Sequence, residues 1–287
     1  MRSANVFKFD FIKVFKSTFK EFFDNDLDKY AAAVAFQMLF SIIPFLIVFI
    51  AILSFFDLQA FVQTLQGQAG AVVPGEATEV VTQIIGGIDL PGGALLPIAL
   101  LVALWVASSA MRLIIHSLNI AYNVKETRPF WSILLLSIVY TLAVLFLLIL
   151  AMLFMVVGSQ AVESLAGHVG LDTIFVTIWS WLRWPVATVL LMFTIAFIYF
   201  VAPNIKPKFK KMIPGAVLAV LVWIGLSIGF DIYMRTFIDL SILFGGLGAI
   251  IFLMIYFYIS AAVLLFGAKL NAVIERGRST GEGPLIR

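Results

Sequence analysis

The chain has 287 residues, of which 62% are hydrophobic and 12% are charged, and it contains no cysteine. Because soluble domains carry about 25% charged residues, this composition excludes a soluble globular enzyme and a disordered chain. The missing cysteine excludes a disulfide scaffold, a thiolate metal centre and a cysteine nucleophile.

Six long apolar runs follow one another along the chain. A bilayer core of about 30 Å needs about 20 apolar residues per helix, and continuous runs favour helices over barrel strands. We therefore predict an all-α integral membrane protein with six transmembrane helices, called spans 1 to 6. They cover residues 30–56, 94–115, 131–157, 179–201, 213–233 and 242–268. The predicted parts are a cytoplasmic amphipathic segment at 1–29, a transmembrane domain at 30–272 and a cytoplasmic tail at 273–287.

The basic residues predict the orientation of these spans. Seventeen of the 19 Lys and Arg residues fall at the two termini, in the span 2–3 and span 4–5 connections, or at the adjoining ends of spans. Only Arg183 and Arg235 fall on the other side. By the positive-inside rule both termini are cytoplasmic, which agrees with an even number of spans. We expect a multi-pass protein of the bacterial inner membrane with no cleavable signal peptide.

Two segments outside the spans also show patterns. Residues 7–23 form an amphipathic helix with mostly Phe on one face and Lys13, Lys16, Ser17, Lys20 and Glu21 on the other, which is typical of an interfacial helix. The external connection at 57–93 is long enough to carry structure of its own, either a cap over a cavity or a hairpin resting on the membrane. A shorter external loop is expected at 158–172.

Polar residues inside spans are the first candidates for function because lipid makes them costly. In span 1, Gln37 and Ser41 share a helix face, and Pro44 removes a backbone hydrogen bond beside them. From span 2 onward, a polar stripe follows helical spacing: Ser108, Arg112, His116, Asn119 and Asn123. Arg112 is suited to an anion and His116 to a proton. Packing of the stripe against the next loop, with Arg112 snorkelling, is the structural alternative.

Other groups have simpler predicted roles. Gly225 and Gly229 form a GxxxG pair, and Gly245, Gly246 and Gly248 begin span 6; both sets favour close helix packing. The second set also allows a helix break. Asp231 and Arg235 are expected to form a local salt bridge. Lys206, Lys208, Lys210 and Lys211 are expected to contact anionic lipid headgroups rather than nucleic acid. Snorkelling and capping account for Lys269, Asn271 and Glu275.

Several kinds of catalytic machinery are missing from the sequence. His116 and His168 fall on opposite sides of the predicted membrane, and there is no HExxH, P-loop or GxSxG motif. We therefore predict no catalytic residues, no metal site and no cofactor. The expected partners are membrane lipids and an anionic amphiphile or solute, and the oligomeric state is left open.

Blocks of sequence resemble one known family, the YihY/virulence factor BrkB family. They are the runs 31–36 and 41–44, 119–124 with Glu126, Arg128, Pro129 and Phe130, 214–216, 245–249 and 267–272. The resemblance covers 28–272 and implies a six-helix inner-membrane protein. It also implies either envelope lipid movement or export of a solute or ion, and an old label calls members transfer-RNA nucleases. Lys269 stands where the family pattern has Glu, and Phe244-Gly245-Gly246 where it reads Tyr-Gly-Ser.

The leading functional hypothesis is a transporter or flippase-like protein for an anionic or amphiphilic substrate. In it, Arg112 meets the anionic group, and Gln37, Ser41, Ser108 and Asn119 line a polar path. Pro44 and the glycines at 245–248 allow helix movement. The alternatives are a non-transporting scaffold or adaptor for envelope machinery and, more remotely, a membrane-associated nuclease.

Overall fold

The computed structural model describes residues 11–53, 95–169, 173–205, 208–237 and 240–280. These residues form seven α-helices and no strand, which confirms the predicted all-α class. The helices are α1 Phe11–Asp24, α2 Leu27–Leu53, α3 Leu95–Ala121, α4 Phe130–Val169, α5 Thr173–Val201, α6 Ile213–Phe237 and α7 Leu240–Thr280. One 3-10 turn, Phe209–Lys211, precedes α6.

Five helices, α3 to α7, are long and apolar enough to cross a bilayer. The qualifying stretches are Leu100–Ala121, Phe130–Leu150, Trp181–Val201, Ile213–Tyr233 and Ile250–Gly277. They correspond to predicted spans 2 to 6. Most of span 1 falls on α2, and residues 54–56 lie outside the described part of the chain. The total of six spans and the position of the termini stay predictions, and the loop at 57–93 also lies outside the described residues.

Two helices are much longer than a bilayer is thick. α4 has 40 residues and α7 has 41, so each is about 60 Å long at 1.5 Å per residue. The loop predicted at 158–172 is therefore wrong for most of its length, since α4 continues to Val169. Hydropathy falls there, but residues such as Gln160, Ala161 and Glu163 are compatible with a helix. The other long helix, α7, passes through residues 245–248 near its start without a break.

The chain divides into two compact units. The first unit contains Met1–Leu39, Ala110–Tyr140 and Leu191–Arg287, and the second contains Phe40–Ser109 and Thr141–Leu190. In the first unit, α1 and α6 both pack on α7. Val14 of α1 joins a small apolar core with three residues of α7: Leu270, Val273 and Ile274. In the second unit, the buried side chains include Leu145.

The amphipathic helix predicted near the amino terminus is present as α1, but its buried face differs from the prediction. Val14, Ser17, Thr18 and Phe22 are buried, whereas Phe15 and Phe19 are exposed. Ser17 and Glu21 were assigned to the headgroup face, and that assignment is wrong. Both belong to the face that packs on the protein. Ser17 is buried and donates a hydrogen bond to Glu21, and basic side chains of α7 bind Glu21.

Candidate functional site

The polar stripe of α3 carries a charge deep inside a membrane-spanning stretch. Arg112 is half-buried and lies nine residues before the end of the stretch Leu100–Ala121, which places it about 13 Å inward along the helix. His116 follows one turn closer to the helix end, is exposed, and meets the Tyr30 ring edge-on at 5.6 Å between centroids.

Further along the stripe, Asn119 is buried and binds two other segments of the first unit. Its Nδ2 donates to Glu126 Oε2 at 2.7 Å, and its Oδ1 accepts the backbone N–H of Asn204 at 2.7 Å. Asn204 lies in the turn after α5, so Asn119 fixes the end of α3 to that turn. In this structure Asn119 makes structural hydrogen bonds on both sides of its amide.

Glu126 and Arg128 complete this network. Arg128 donates from Nε to Glu126 Oε1 at 2.8 Å and from Nη2 to Oε2 at 2.7 Å, and Nη2 also reaches the carbonyl oxygen of Ala202 at 3.0 Å. The side-chain hydrogen bonds from Arg128 lower the pKa of Glu126 to about 2, against the opposing effect of burial. A two-pronged pair of this kind fixes geometry as well as charge, so Arg128 stabilises the connection between α3 and α4.

Asn123, the last residue of the stripe, ends α3. Its φ of 55° is in the left-handed region, where Asn is tolerated better than most residues. The N–H of Val124 then reaches back to the carbonyl oxygen of Asn119 at 2.8 Å, as in a Schellman helix end. Asn25 Nδ2, beside the end of α1, donates to Asn123 Oδ1 at 2.8 Å. Asn123 therefore shapes a helix end and links two helices.

A buried ion cluster joins α1, α3 and α7. Lys269 is completely buried, and its Nζ lies 3.0 Å from Glu21 Oε2 and 3.2 Å from the carbonyl oxygen of Ala121. Arg276 donates to both carboxylate oxygens of Glu21, at 3.2 and 2.9 Å. The snorkelling predicted for Lys269 is therefore wrong, because its ammonium group points into the protein. Burial raises the pKa of Glu21, but the hydrogen bonds and charges of Arg276 and Lys269 outweigh burial and lower it overall.

Two residues beyond Lys269 on α7, Asn271 caps a different helix. Its Oδ1 accepts the N–H of Gly215 at 2.7 Å, and its Nδ2 donates to the carbonyl oxygen of Met212 at 2.9 Å. Met212 directly precedes α6, so a side chain from α7 satisfies a backbone donor in the first turn of α6. The capping role predicted for Asn271 is present, although the capped helix is α6.

The close helix contact involves glycines other than the predicted ones. A Cβ built on Gly267 would lie 2.6 Å from both the Gly215 carbonyl oxygen and Tyr199 Oη, whereas nothing in the described structure lies within 4 Å of a Cβ at Gly225 or Gly229. The packing role predicted for Gly225 and Gly229 is therefore not seen in this part of the chain. The side chains of Arg235 and of residues 245–248 lie outside the described ones, so the salt bridge predicted for Asp231 and Arg235 and the packing role predicted for these glycines stay predictions.

In the second unit, the hydroxyl groups of the predicted path bond locally. Ser41 Oγ lies 3.3 Å from both the Val106 carbonyl oxygen and Ser109 Oγ, and Ser108 Oγ donates to the Trp105 carbonyl oxygen at 2.8 Å. The two Ser41 contacts tie α2 to α3, whereas the Ser108 bond lies within α3. α2 continues through Pro44 to Leu53. Gln37 belongs to the first unit and is half-buried.

The lysines expected at lipid headgroups divide into two groups. Lys208 and Lys210 are exposed, as headgroup contacts require, and Lys206 lies outside the described residues. Lys211 Nζ instead lies 2.6 Å from Glu275 Oε1 on α7. Lys211 thus also holds the 3-10 turn against α7.

The sequence missed the residues that connect the most segments: Glu21, Glu126, Asn204 and Lys269. Glu21 and Arg276 are separated by 255 positions, so spacing along the chain carries no sign of their pairing. A local signal did exist at Lys269, which has only small or apolar neighbours at 267, 268 and 270. In the part of the chain that is described, no three His, Cys, Asp or Glu residues group as metal ligands would.

Long apolar helices joined by buried polar clusters define a multi-pass α-helical membrane protein. Comparison with known sequences narrows the class: residues 18–285 match the virulence factor BrkB family. The chain belongs to this family, which confirms the resemblance.

Relatives have been named in several bacteria. The ribonuclease-like protein YfkH of Bacillus subtilis is 33% identical over 247 residues, covering 86% of this chain and 89% of that one. A UPF0761 membrane protein of Vibrio campbellii is 29% identical over 256 residues, covering 85% and 76%. Another, PBPRA3489 of Photobacterium profundum, is 27% identical over 249 residues, covering 84% and 74%. No solved structure is significantly similar to this chain.

Proposed function

We propose that this protein is an inner-membrane transporter, or flippase-like protein, that moves an anionic or amphiphilic substrate along the polar side of α3. The observation that carries the proposal is the position of Arg112, half-buried and about 13 Å inside a membrane-spanning stretch. An arginine within a membrane-spanning helix is costly, by up to about 2.5–3.5 kcal/mol on insertion scales. Charged residues within membrane-spanning helices therefore usually mark a substrate or ion pathway.

The neighbours of Arg112 on α3 extend this pathway in both directions. Ser108 precedes it by one turn and His116 follows it by one turn, so the three side chains lie along one side of the helix. The guanidinium group supplies several donors for a phosphate or carboxylate, and the His116 imidazole adds further polar atoms along the same side of the helix. Asn119, Asn123 and Arg128 shape the end of this pathway through the hydrogen bonds described above.

The location and orientation belong to the same proposal. The excess of Lys and Arg in the segments around 1–29, 122–129, 202–212 and 273–287 supports cytoplasmic termini. α1 lies on α7 beside Lys269 and carries Lys13, Lys16 and Lys20 on its exposed side. That arrangement suits a helix lying at the cytoplasmic face of the bacterial inner membrane.

Transport by purified protein in liposomes tests the proposal. One arm follows the scrambling of headgroup-labelled phosphatidylglycerol, and the other follows ion efflux. Loss of charge-assisted hydrogen bonds worth about 1.5–3 kcal/mol predicts that Arg112→Gln lowers the rate about tenfold or more. Lys125→Gln removes the same charge from an exposed position outside the spans and should leave the rate unchanged.

The other outcomes separate the remaining candidates. Equal rates for Arg112→Gln and wild type would remove Arg112 from the mechanism. If folded wild-type protein moves neither probe, the transporter proposal fails and a scaffold for envelope machinery becomes the better hypothesis. Metal-dependent RNA cleavage, lost on a point mutation in this chain, would instead support the ribonuclease-like name of the Bacillus relative.

A further inference from the structure

An apolar groove of about 300 Å³ lies between α1 and the paired helices α6 and α7. Its volume is at the lower end of the range for small-molecule pockets. The lining presents apolar atoms and includes Phe15 and Phe19 of α1, Leu218 and Val222 of α6, and Ala262 and Phe266 of α7. All these residues belong to the first unit.

α1 has three distinct faces around its axis. One face, which includes Val14, Thr18 and Phe22, is buried against the protein. At 100° per residue, a flank of exposed apolar side chains comes next: Ile12, Phe15, Phe19 and Phe23. The exposed charged residues follow beyond that flank: Lys13, Lys16, Lys20 and Asp24. A chain in the groove would therefore lie beside a row of cations.

The ion cluster keeps α1 in place above the groove. Glu21 binds Lys269 and Arg276 of α7, and the Phe266 ring lies 5.5 Å from the Phe15 ring and 5.8 Å from the Phe22 ring. The position of α1 is thus fixed by paired charges on one side and by aromatic contacts on the other. The groove needs no movement of α1 to accept an apolar chain.

We propose that this groove binds one acyl chain of an anionic phospholipid whose headgroup contacts Lys16 and Lys20. The apolar lining selects a hydrocarbon chain, and the cations on the adjoining face select a negative headgroup. The groove lies next to two helices that are apolar enough to cross the bilayer, so lipid is the apolar molecule present there at high concentration. This proposal is independent of transport and of Arg112.

Photocrosslinking of wild-type protein tests where the chain binds. Phosphatidylglycerol with a diazirine in one acyl chain is mixed into phosphatidylcholine vesicles that contain the protein, and crosslinked peptides are identified by mass spectrometry. We expect the crosslinks to concentrate on α1 and on the groove residues of α6 and α7. An even distribution over the lipid-exposed helix faces would overturn the proposal.

A filling variant and a matched control sharpen this test. Ala262→Phe places a ring in the groove and should reduce crosslinking there about tenfold, as for loss of about 1.4 kcal/mol. Gly229→Phe adds a ring on α6 where nothing in the described structure lies within 4 Å, and it should leave crosslinking unchanged. Equal crosslinking in both variants would overturn the groove assignment.

The headgroup is tested by comparing two lipids with the same labelled chain. Wild-type protein should crosslink phosphatidylglycerol more strongly than phosphatidylcholine. The double variant Lys16→Gln/Lys20→Gln should lose this preference, whereas Lys125→Gln, an exposed lysine outside α1, should keep it. Equal crosslinking of the two lipids by wild type would overturn the assignment of an anionic lipid.

Discussion

Lys269 is completely buried, and its close polar partners offset the free-energy cost of burying its charge. Removing an ammonium ion from water costs several kcal/mol even after the protein relaxes. Glu21 supplies a carboxylate at 3.0 Å, and Ala121 supplies a carbonyl oxygen at 3.2 Å. A single carboxylate from α1 thus offsets the burial of a charge on α7. The pair acts chiefly as a positioning device, since buried pairs are a weak source of net stability.

Removing only the negative partner should therefore be costly. Glu21→Gln leaves Lys269 buried without its counter-charge, and we expect the free energy of unfolding to fall by about 3–5 kcal/mol. Reversible unfolding in detergent measures this loss. The double variant Glu21→Gln/Lys269→Met removes both charges and should recover much of it. A single variant as stable as wild type would show that the cluster does not hold α1.

Glu126 predicts a pH dependence of stability. Its folded pKa of about 2 lies below the ordinary value of 4.5, so the folded state binds its proton less readily than the unfolded state does. The resulting stabilisation is fully present above pH 4.5 and is lost as the pH falls toward 2. Because the Glu126–Arg128 pair is partly exposed to solvent, screening limits the expected loss to about 1 kcal/mol. Unfolding measured between pH 6 and pH 2 should show a shallower dependence in Glu126→Gln, and an unchanged profile would contradict the assignment.

At the scale of helices, the contact between α6 and α7 depends on two glycines. A Cβ on Gly215 would overlap the carbonyl oxygen of Gly267 and press on the Asn271 amide. The two backbones therefore approach each other more closely than a residue with a Cβ atom would allow. Asn271 of α7 can cap α6 because the two helices are this close.

The two kinds of glycine on α6 make a matched pair of variants. Gly215→Ala should destabilise the protein by about 1–3 kcal/mol, as over-packing of a close contact does. Gly225→Ala meets open space and should be neutral or stabilising by up to about 1 kcal/mol, because Ala favours a helix. Thermal unfolding of the two purified variants gives the comparison, and equal midpoints would refute the close contact.

The helices were predictable from the sequence because apolar runs and length determine them locally. α3 to α7 lie where spans 2 to 6 were predicted and are long and apolar enough to cross a bilayer. The loop at 158–172 was assigned from hydropathy alone and is largely helical. The faces of α1 were less predictable. Ser17 and Glu21 were assigned to the headgroup region because they are polar. Glu21 instead pairs with Lys269 and Arg276 of distant α7, which no local pattern contains, and Ser17 donates a hydrogen bond to Glu21.

At the scale of the whole molecule, the candidate site was predicted in part. The stripe on α3 follows local helical spacing, so Arg112 and His116 could be selected from the sequence. The structural roles of Asn119 and Arg128 depend on Glu126 and on the turn at 202–204, which meet only in the folded chain. Lys269 shows the same limit, because its buried state depends on a carboxylate 248 positions earlier in sequence.

The absence of cysteine allows a direct test of the central claim that Arg112 lies on a wet pathway within the membrane. Leu221 on α6 serves as an exposed control. The end of α3 and the start of α6 lie close together, because Tyr122 donates a hydrogen bond to the sulfur of Met212. Leu221 lies eight residues from the start of its apolar stretch at Ile213, and Arg112 lies nine residues from the end of its own at Ala121, so their depths are similar. Arg112→Cys and Leu221→Cys would be labelled in vesicles with a charged, water-soluble methanethiosulfonate, which reacts with the hydrated thiolate.

A hydrated pathway along α3 predicts that the thiol at position 112 reacts at least about tenfold faster than the thiol at position 221, because a thiol in lipid stays protonated and inaccessible. Equally slow labelling at both positions would contradict the account. Arg112 would then be a residue that packs within the protein or snorkels to its surface, and the proposed pathway along α3 would be lost.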